Sequence, residues 1–249
     1  MSIGVLISSH ARPHTLRPQL AAIDAQTVKP SEIVIFHDHA PGVQPDTEAM
    51  RGRRVVATNW QSGVWNRFAF CLWGFSAEFI CVFDDDTIPA PRFLEHLWTQ
   101  WHERPALYGV NGVIFPTGQR NPREYCGREL VQGETECDIV GHAWFFHRIL
   151  LETAATLERC PGVSTAGEDY HLAFAAQTIG SPVLTPVNAL PTTLGSTRPD
   201  LGTDDKALYR QPGEEEKKQR VHEFYVAQGW KTLYHRAREC NSRTHSLTT

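Results

Sequence analysis

The stretch Phe79-Ile80-Cys81-Val82-Phe83-Asp84-Asp85-Asp86 places five apolar residues directly before three carboxylates. The apolar run is rich in β-favouring residues and ends at a polar cluster, which predicts a buried strand over 79–83. Three carboxylates cannot all be buried without partners, so we expect them at the carboxyl edge of a sheet, where ligands bind in open α/β folds. Such oxygen ligands suit Mg²⁺ or Mn²⁺, although three acids are also compatible with a solvated turn that caps the next helix.

Strands and helices alternate on both sides of this stretch. Before it, the sequence predicts strands at Ile3–Ser8, Ile33–Phe36 and Arg54–Ala57, and helices at Pro13–Gln26 and Trp65–Phe75. Such short spacing is typical of βαβ units and predicts an α/β class with a mostly parallel central sheet flanked by helices. After it, the predicted elements are helices at Pro91–Glu103, Ile149–Glu158, Glu168–Ile179 and Glu214–Gln228, and strands at Ala106–Phe115, Cys137–Phe146 and Val183–Thr185.

Two polar segments interrupt this pattern. Pro116–Glu136 is rich in Gly, Arg and Glu and predicts a long loop or hairpin over a site. Pro191–Pro212 contains few apolar residues and predicts a mobile loop that closes over a ligand. No internal repeat or linker divides the chain, so we expect one domain over residues 1–238 and a flexible tail over 239–249.

Composition narrows the class of protein. The chain has 249 residues, enough for one sizeable α/β domain, and its formal charge of −4 gives no electrostatic argument for nucleic-acid binding. No apolar stretch approaches the length that crosses a bilayer, and the N-terminus enters a strand without a signal-peptide pattern. The six cysteines show no CxxC spacing. We therefore expect a cytoplasmic protein with reduced thiols, and a disulfide between Cys126 and Cys137 is the disfavoured alternative.

Two familiar nucleotide-binding signatures are absent from the sequence. No GxGxxG follows the first strand and no GxxxxGK[ST] occurs, so the dinucleotide and P-loop classes have no sequence support. A site without a glycine-rich loop must neutralise phosphates by other means. A divalent cation on Asp86, with arginines nearby, would do so.

Three further acids lie at positions where they could reach the same carboxyl edge of the sheet. Asp38 ends the second predicted strand, and it either accepts hydrogen bonds from a nucleobase or ribose or forms an Asp turn. Glu168 and Asp169 begin a helix, where acids either stabilise the helix dipole or act as a general base on an acceptor hydroxyl.

The order of these motifs resembles the family 2 glycosyltransferases of the GT-A fold, a Rossmann-like fold of nucleotide-sugar transferases. The matching positions are Ile3–Ser9, Gln26-Thr27-Val28-Lys29-Pro30, Glu32–Phe36, Asp38, Asn59, Gly63, Asp84–Asp86 and Gly167-Glu168-Asp169. Exostosin-type transferases are resembled at Asn66-Arg67-Phe68, Asp84–Ile88, Leu97–Trp101, Arg220 and Gly229-Trp230. Together the matches span roughly residues 3 to 235.

The resemblance implies a role for each matching residue. It implies Asp86 as the metal ligand of a DxD motif, Asp169 as the catalytic base of inverting members, and Arg220 as a catalytic residue near the diphosphate. His142 falls in the region that shapes the sugar pocket in such folds, although a core histidine is the alternative. The implied nucleotide-sugar contacts are Asp38, Asn66, Arg67, Asp84, Asp85, His142 and Glu168.

We therefore expect a metal-dependent glycosyltransferase that uses Mn²⁺ or Mg²⁺. It would move a sugar from a nucleoside-diphosphate sugar, a UDP-sugar above all, to a hydroxyl group of an acceptor glycan or small molecule. Three alternatives stay open: transfer to a modified nucleobase in DNA, a nucleotidyltransferase of the same fold, and an inactive sugar-binding module. The resemblance leaves both inverting and retaining outcomes open.

Overall fold

The computed structural model describes residues 2–127, 133–187 and 202–246. Within these ranges the strands form one sheet in the order β3-β2-β1-β4-β8-β5-β9-β7, with β6 paired to β5. The strands are β1 (Ile3–Ser9), β2 (Glu32–His37), β3 (Val55–Ala57), β4 (Phe79–Phe83), β5 (Leu107–Ile114), β6 (Glu124–Cys126), β7 (Thr135–Glu136), β8 (Ile139–His147) and β9 (Val183–Thr185).

The half of the sheet that contains β1 and β4 is parallel. β1 pairs in parallel with both β2 and β4, and β2 pairs in parallel with β3. Every residue of β1 and β4 is buried, as expected for strands that are covered on both faces by helices. The carboxyl ends of β2, β1 and β4 therefore meet at one edge of the sheet.

The other half of the sheet is mixed. β8 runs antiparallel to both β4 and β5, while β5 and β9 are parallel. The predicted α/β class is confirmed, but only the first half of the sheet is entirely parallel, because the chain returns through β8 in the opposite direction. As a result the amino end of β8 reaches the same edge as the carboxyl end of β4.

Helices cover both faces of the sheet. A 3-10 turn, Pro13–Thr15, precedes the first helix. Side chains alternate along β1, so that Leu6 packs in one core while Val5 and Ile7 pack in the other. The helices are α1 (Leu16–Asp24), α2 (Thr47–Met50), α3 (Trp65–Gly74), α4 (Phe93–Glu103), α5 (Ile149–Ala154), α6 (Glu168–Thr178), α7 (Glu214–Ala227) and α8 (Leu233–Ser246).

Two segments contain secondary structure that the sequence predictions did not specify. In the segment 116–136, for which the sequence predicts a loop or hairpin, β6 forms a hairpin with the neighbouring β5, and β7 pairs with β9, which lies far along the chain. The segment from residue 239, predicted as a tail, continues α8 as far as Ser246, and Lys231 pairs with Glu239 at 2.7 Å.

The predicted mobile loop over Pro191–Pro212 lies outside the described residues as far as position 201. Its described part contains a 3-10 turn, Leu208–Arg210, and leads into α7. In the described part of the chain, no helix combines the length and apolar character that crossing a membrane requires.

Candidate functional site

A cavity of about 850 Å³ opens at the edge where β2, β1 and β4 end and β8 begins. Its volume lies in the range of small-molecule and cofactor sites. The cavity brings together all six acids that the sequence singled out, together with one of its two arginines and its histidine. These are Asp38, Arg67, Asp84, Asp85, Asp86, His142, Glu168 and Asp169.

Asp84, Asp86 and His142 form a compact group of potential metal ligands. One ligand atom from each lies within 4.8 Å of the others, and His142 Nδ1 is 3.4 Å from Asp86 Oδ1. The carbonyl oxygen of His142 accepts hydrogen bonds from the Asp84 amide at 3.0 Å and from Thr87 Oγ1 at 2.9 Å. These bonds fasten the start of β8 to the end of β4, and they hold His142 at a positive φ of 67°.

A positive φ is uncommon for a residue other than glycine, and strained backbone of this kind clusters at active sites and ligand-binding sites. Here the unusual backbone belongs to the residue that supplies the only imidazole of the group. The pKa of Asp86 is also affected: burial opposes its ionisation, but the hydrogen bond and charge of His142 and the charge of Arg12 lower its pKa overall. Asp86 is therefore held as a carboxylate, the form that binds a cation.

Asp85 faces a different partner from its two neighbours. Arg12 Nη1 donates to Asp85 Oδ1 at 2.6 Å, and the Ala11 amide donates to Asp85 Oδ2 at 3.1 Å. The other side of the Arg12 guanidinium pairs with Asp204 at 2.7 and 2.9 Å. Alternate acids along 84–86 thus face the metal group, while the middle acid anchors the β1–α1 loop.

Arg12 was missed by the sequence analysis. Its side chain is 6% exposed, and it links the β1–α1 loop to Asp85, Asp86 and the segment before α7. The available signal was its place directly after β1, at the edge where β4 also ends. An arginine there is the natural counter-ion for three consecutive carboxylates.

Arg67 organises a second set of acids. It is buried, pairs with Asp84, and donates to Ser8 Oγ at 2.9 Å and to Glu168 Oε1 at 3.2 Å. Its guanidinium lies 5.0 Å from the ring centroid of Trp144, where a cation–π contact stabilises it. Arg67 therefore connects the metal group to the start of α6.

Glu168 and Asp169 reach the cavity from the first turn of α6. Burial and the adjacent charge of Asp169 raise the pKa of Glu168 to about 7, against the opposing charge of Arg67. Burial also raises the pKa of Asp169, against the charges of Lys218 and Arg120. Acids poised nearer to neutral pH are suited to exchange a proton with a bound hydroxyl.

Asp38 lines the cavity, but its carboxylate already has several donors. Ser62 donates from its amide at 2.7 Å and from Oγ at 2.6 Å, and Thr58 Oγ1 donates at 2.9 Å. This is the Asp turn that the sequence left open. A nucleotide at this end would meet the 58–63 loop that Asp38 shapes.

Two predicted site residues lie apart from the cavity. Asn66 donates to the carbonyl oxygen of Ser62 at 2.9 Å and is not among the residues that line the cavity. Arg220 is exposed and donates to the carbonyl oxygen of Pro161 at 2.6 Å. Lys218 lines the cavity instead, because residues two apart on a helix point about 200° from each other.

Comparison with known proteins adds evidence on the fold. No family model matches the chain, and no curated protein matches it in sequence. The structure is similar to the crystal structure of TarS from S. aureus, with a TM-score of 0.55 and 14% sequence identity. The chain has a GT-A-like glycosyltransferase fold. The similarity covers 76% of this chain and 35% of TarS, so the chain spans about a third of that protein.

The fold prediction is therefore confirmed, and it locates the site in the architecture. In open α/β sheets, ligands bind outside the carboxyl ends of the strands at the point where the strand order reverses. β1 has β2 on one side and β4 on the other, and the cavity opens at their shared carboxyl edge. The cavity thus lies at the edge of the sheet where ligands bind in folds of this class.

Proposed function

We propose that this protein is a metal-dependent glycosyltransferase that moves a sugar from a UDP-sugar to a hydroxyl group of an acceptor. The observation that carries the proposal is the grouping of Asp84, Asp86 and His142 within 4.8 Å at the floor of the cavity. The glycosyltransferase fold supports it, because that fold supplies the nucleotide-sugar context for a cation at this edge.

The three side chains fit a divalent cation. Two carboxylates suit Mg²⁺ and Mn²⁺, and the imidazole favours a transition metal, so the mixed set favours Mn²⁺ over Mg²⁺. Arg67 on Asp84 and Arg12 at 3.8 Å from Asp86 offset part of the negative charge of the acids. When bound, the cation supplies charge stabilisation for the diphosphate leaving group.

The chain's own residues would position the two substrates around this group. The 58–63 loop and the β1–α1 loop border the end of the cavity at β2 and β1, which suits the nucleoside. Asp169 would take the proton of the acceptor hydroxyl, the role of a base in an inverting reaction. Arg67 would help to position Glu168 and the adjacent Asp169, because its guanidinium contacts both Glu168 and Asp84.

Titration calorimetry with UDP tests the donor and the metal together. We expect UDP to bind at least about tenfold more tightly with Mn²⁺ than in EDTA, since a cation held by Asp84, Asp86 and His142 would offset the charge of the diphosphate. Asp86→Asn should abolish this gain, whereas Asp24→Asn, which changes an exposed carboxylate paired with Arg53, should keep it. Equal UDP affinity in Mn²⁺ and in EDTA would refute the metal role.

A reaction assay separates transfer from the alternatives. The protein is incubated with a panel of nucleoside-diphosphate sugars. We expect it to release the nucleoside diphosphate from a UDP-sugar alone, and only when metal is present. Asp169→Asn should lower this rate by about 10²-fold or more while leaving UDP affinity unchanged, as expected for loss of a general base. Formation of a nucleotide sugar from UTP and a sugar 1-phosphate would identify a nucleotidyltransferase instead.

A further inference from the structure

One wall of the cavity carries positive charge that the donor site does not use. Arg120 and Arg123 come from the segment between β5 and β6, and Lys218 comes from α7. We name these three residues the basic wall. The acid that faces them is Glu215, which also lines the cavity.

Arg120 is the buried member of the basic wall. Its side chain is 5% exposed, and both of its terminal nitrogens pair with Glu215, Nη2 at 3.1 Å from Oε2. Its Nε is buried and has no hydrogen-bond partner among the described residues. A buried guanidinium with an unsatisfied donor is costly unless a further acceptor reaches it.

Arg123 shares the same carboxylate. Its Nη1 lies 3.2 Å from Glu215 Oε1, and its Nε donates to the hydroxyl of Tyr125 at 2.7 Å. Lys218 adds a third cation, whose charge acts on Asp169. Arg120 and Arg123 therefore share the Glu215 carboxylate, which is 51% exposed, while the charges of Lys218 and Arg120 act on Asp169.

The sheet order separates this wall from the donor end. From β2 to β6 the cavity presents Asp38, then Arg12, then the three acids, then His142, and finally the basic wall. The arginines beside the acids, Arg12 and Arg67, already have acid partners of their own. The basic wall lies on the far side of the metal group from the nucleoside end, next to Asp169.

We infer that the acceptor carries a phosphate group, and that Arg120, Arg123 and Lys218 bind this phosphate while the accepting hydroxyl faces Asp169. The inference rests on the proposed function and adds the class of acceptor to it. Arginine forks match phosphate oxygens with paired hydrogen bonds, and Glu215 is the internal stand-in that a phosphate would displace. The three cations outnumber the two carboxylates on which they act, Glu215 and Asp169, so the wall keeps a positive charge that a phosphate group would balance.

The test is calorimetric binding of glycerol 3-phosphate, with glycerol as the neutral control, to protein saturated with UDP and Mn²⁺. We expect the phosphate ester to bind at least about tenfold more tightly than glycerol, from charge-assisted hydrogen bonds. In a second titration, the ester is bound first to protein without UDP; its displacement when UDP and Mn²⁺ are added would overturn the inference, because the wall would then hold the diphosphate of the donor. Equal binding of the ester and glycerol would overturn it as well.

Substitutions that remove the charge of single residues test whether the basic wall binds the phosphate ester. Arg123→Gln and Lys218→Gln should each weaken the ester by roughly five- to tenfold, whereas Glu215→Gln should tighten it several-fold. Arg92→Gln, an exposed arginine paired with Glu95 outside the cavity, should change nothing. Arg120 is left intact because its burial couples it to folding. Unaltered affinity in both Arg123→Gln and Lys218→Gln would refute the assignment.

Two further arms identify the source of the phosphate and separate the two proposals. In the first arm, dimethyl phosphate replaces glycerol 3-phosphate, because it mimics a phosphodiester within a polymer. The compound that binds more tightly shows whether the acceptor carries a phosphate monoester or a diester. UDP that binds normally while the ester does not would refute the phosphate acceptor alone. An ester that binds through the wall while UDP fails to bind would refute the donor assignment and leave an anion site in the cavity.

Discussion

Replacing Glu168 with glutamine should make the protein's stability less dependent on pH. The Glu168 side chain is only 14% exposed, it receives a hydrogen bond from Arg67, and it lies beside Asp169. Burial, followed by the charge of Asp169, raises its pKa from 4.5 to about 7. Glutamine keeps the shape and a hydrogen-bond acceptor for Arg67, but it carries no charge to bury.

The sign and size follow from this pKa. An acid whose pKa is higher in the folded state favours folding at low pH, so its contribution is fully present below 4.5 and is lost as pH rises through about 7. A change of that size corresponds to about 3 kcal/mol at about 1.4 kcal/mol per pH unit. Glu168→Gln lacks this loss, so the variant should gain on the wild type by up to about 3 kcal/mol between about pH 5 and about pH 8.

Urea denaturation in metal-free buffer across this pH range measures the difference directly. Glu48→Gln, at an exposed carboxylate paired with Arg51, is the matched control and should follow the wild type at every pH. A difference between Glu168→Gln and the wild type that stays constant from low to high pH would refute the reasoning. It would mean that this carboxylate is as well solvated in the folded protein as in the unfolded chain.

Three further predictions concern the same architecture. Asp84→Asn should weaken Mn²⁺ binding by roughly tenfold or more in calorimetry, and unchanged affinity would remove this residue from the metal group. Arg12→Ala should lower the free energy of unfolding, measured in urea, by about 3 kcal/mol, because it leaves the partly buried Asp204 carboxylate without its ion-pair partner. An unaltered midpoint would contradict this. Burial lowers the pKa of His171 to about 4, so its contribution is complete above 6.5 and is lost as pH falls toward 4. His171→Phe should lose less stability over that acid range than the wild type, and parallel curves would show that His171 protonates freely in the fold.

The sequence predicted the first half of the fold closely. Ile3–Ser9 and Phe79–Phe83 are continuous apolar runs because helices cover them on both faces, and such runs are legible without knowledge of partners. The convergence of Asp38 with the three acids followed from the geometry of parallel strands alone. Features that depend only on local sequence patterns can therefore be predicted from the sequence.

The remaining features depend on pairings far apart in the chain. The position of His142 beside Asp86 requires β8 to run against β4, and no local pattern specifies that direction. The resemblance selected Arg220 on α7, whereas the structure turns Lys218 to the cavity, a difference of less than one helical turn. Short motif matches identify a helix more easily than its rotation.

The antiparallel course of β8 divides the site into two parts that can change independently. The metal group needs only the end of β4 and the start of β8, which are held together by the Asp84 and Thr87 bonds to His142. Residues 115–127, which follow β5 and include β6, supply Arg120 and Arg123 to the opposite wall and lie outside the pairing of β4 with β8. Under the proposed function, exchanging this segment should therefore change the choice of acceptor and leave donor binding unaltered, so acceptor specificity could be engineered by loop replacement alone.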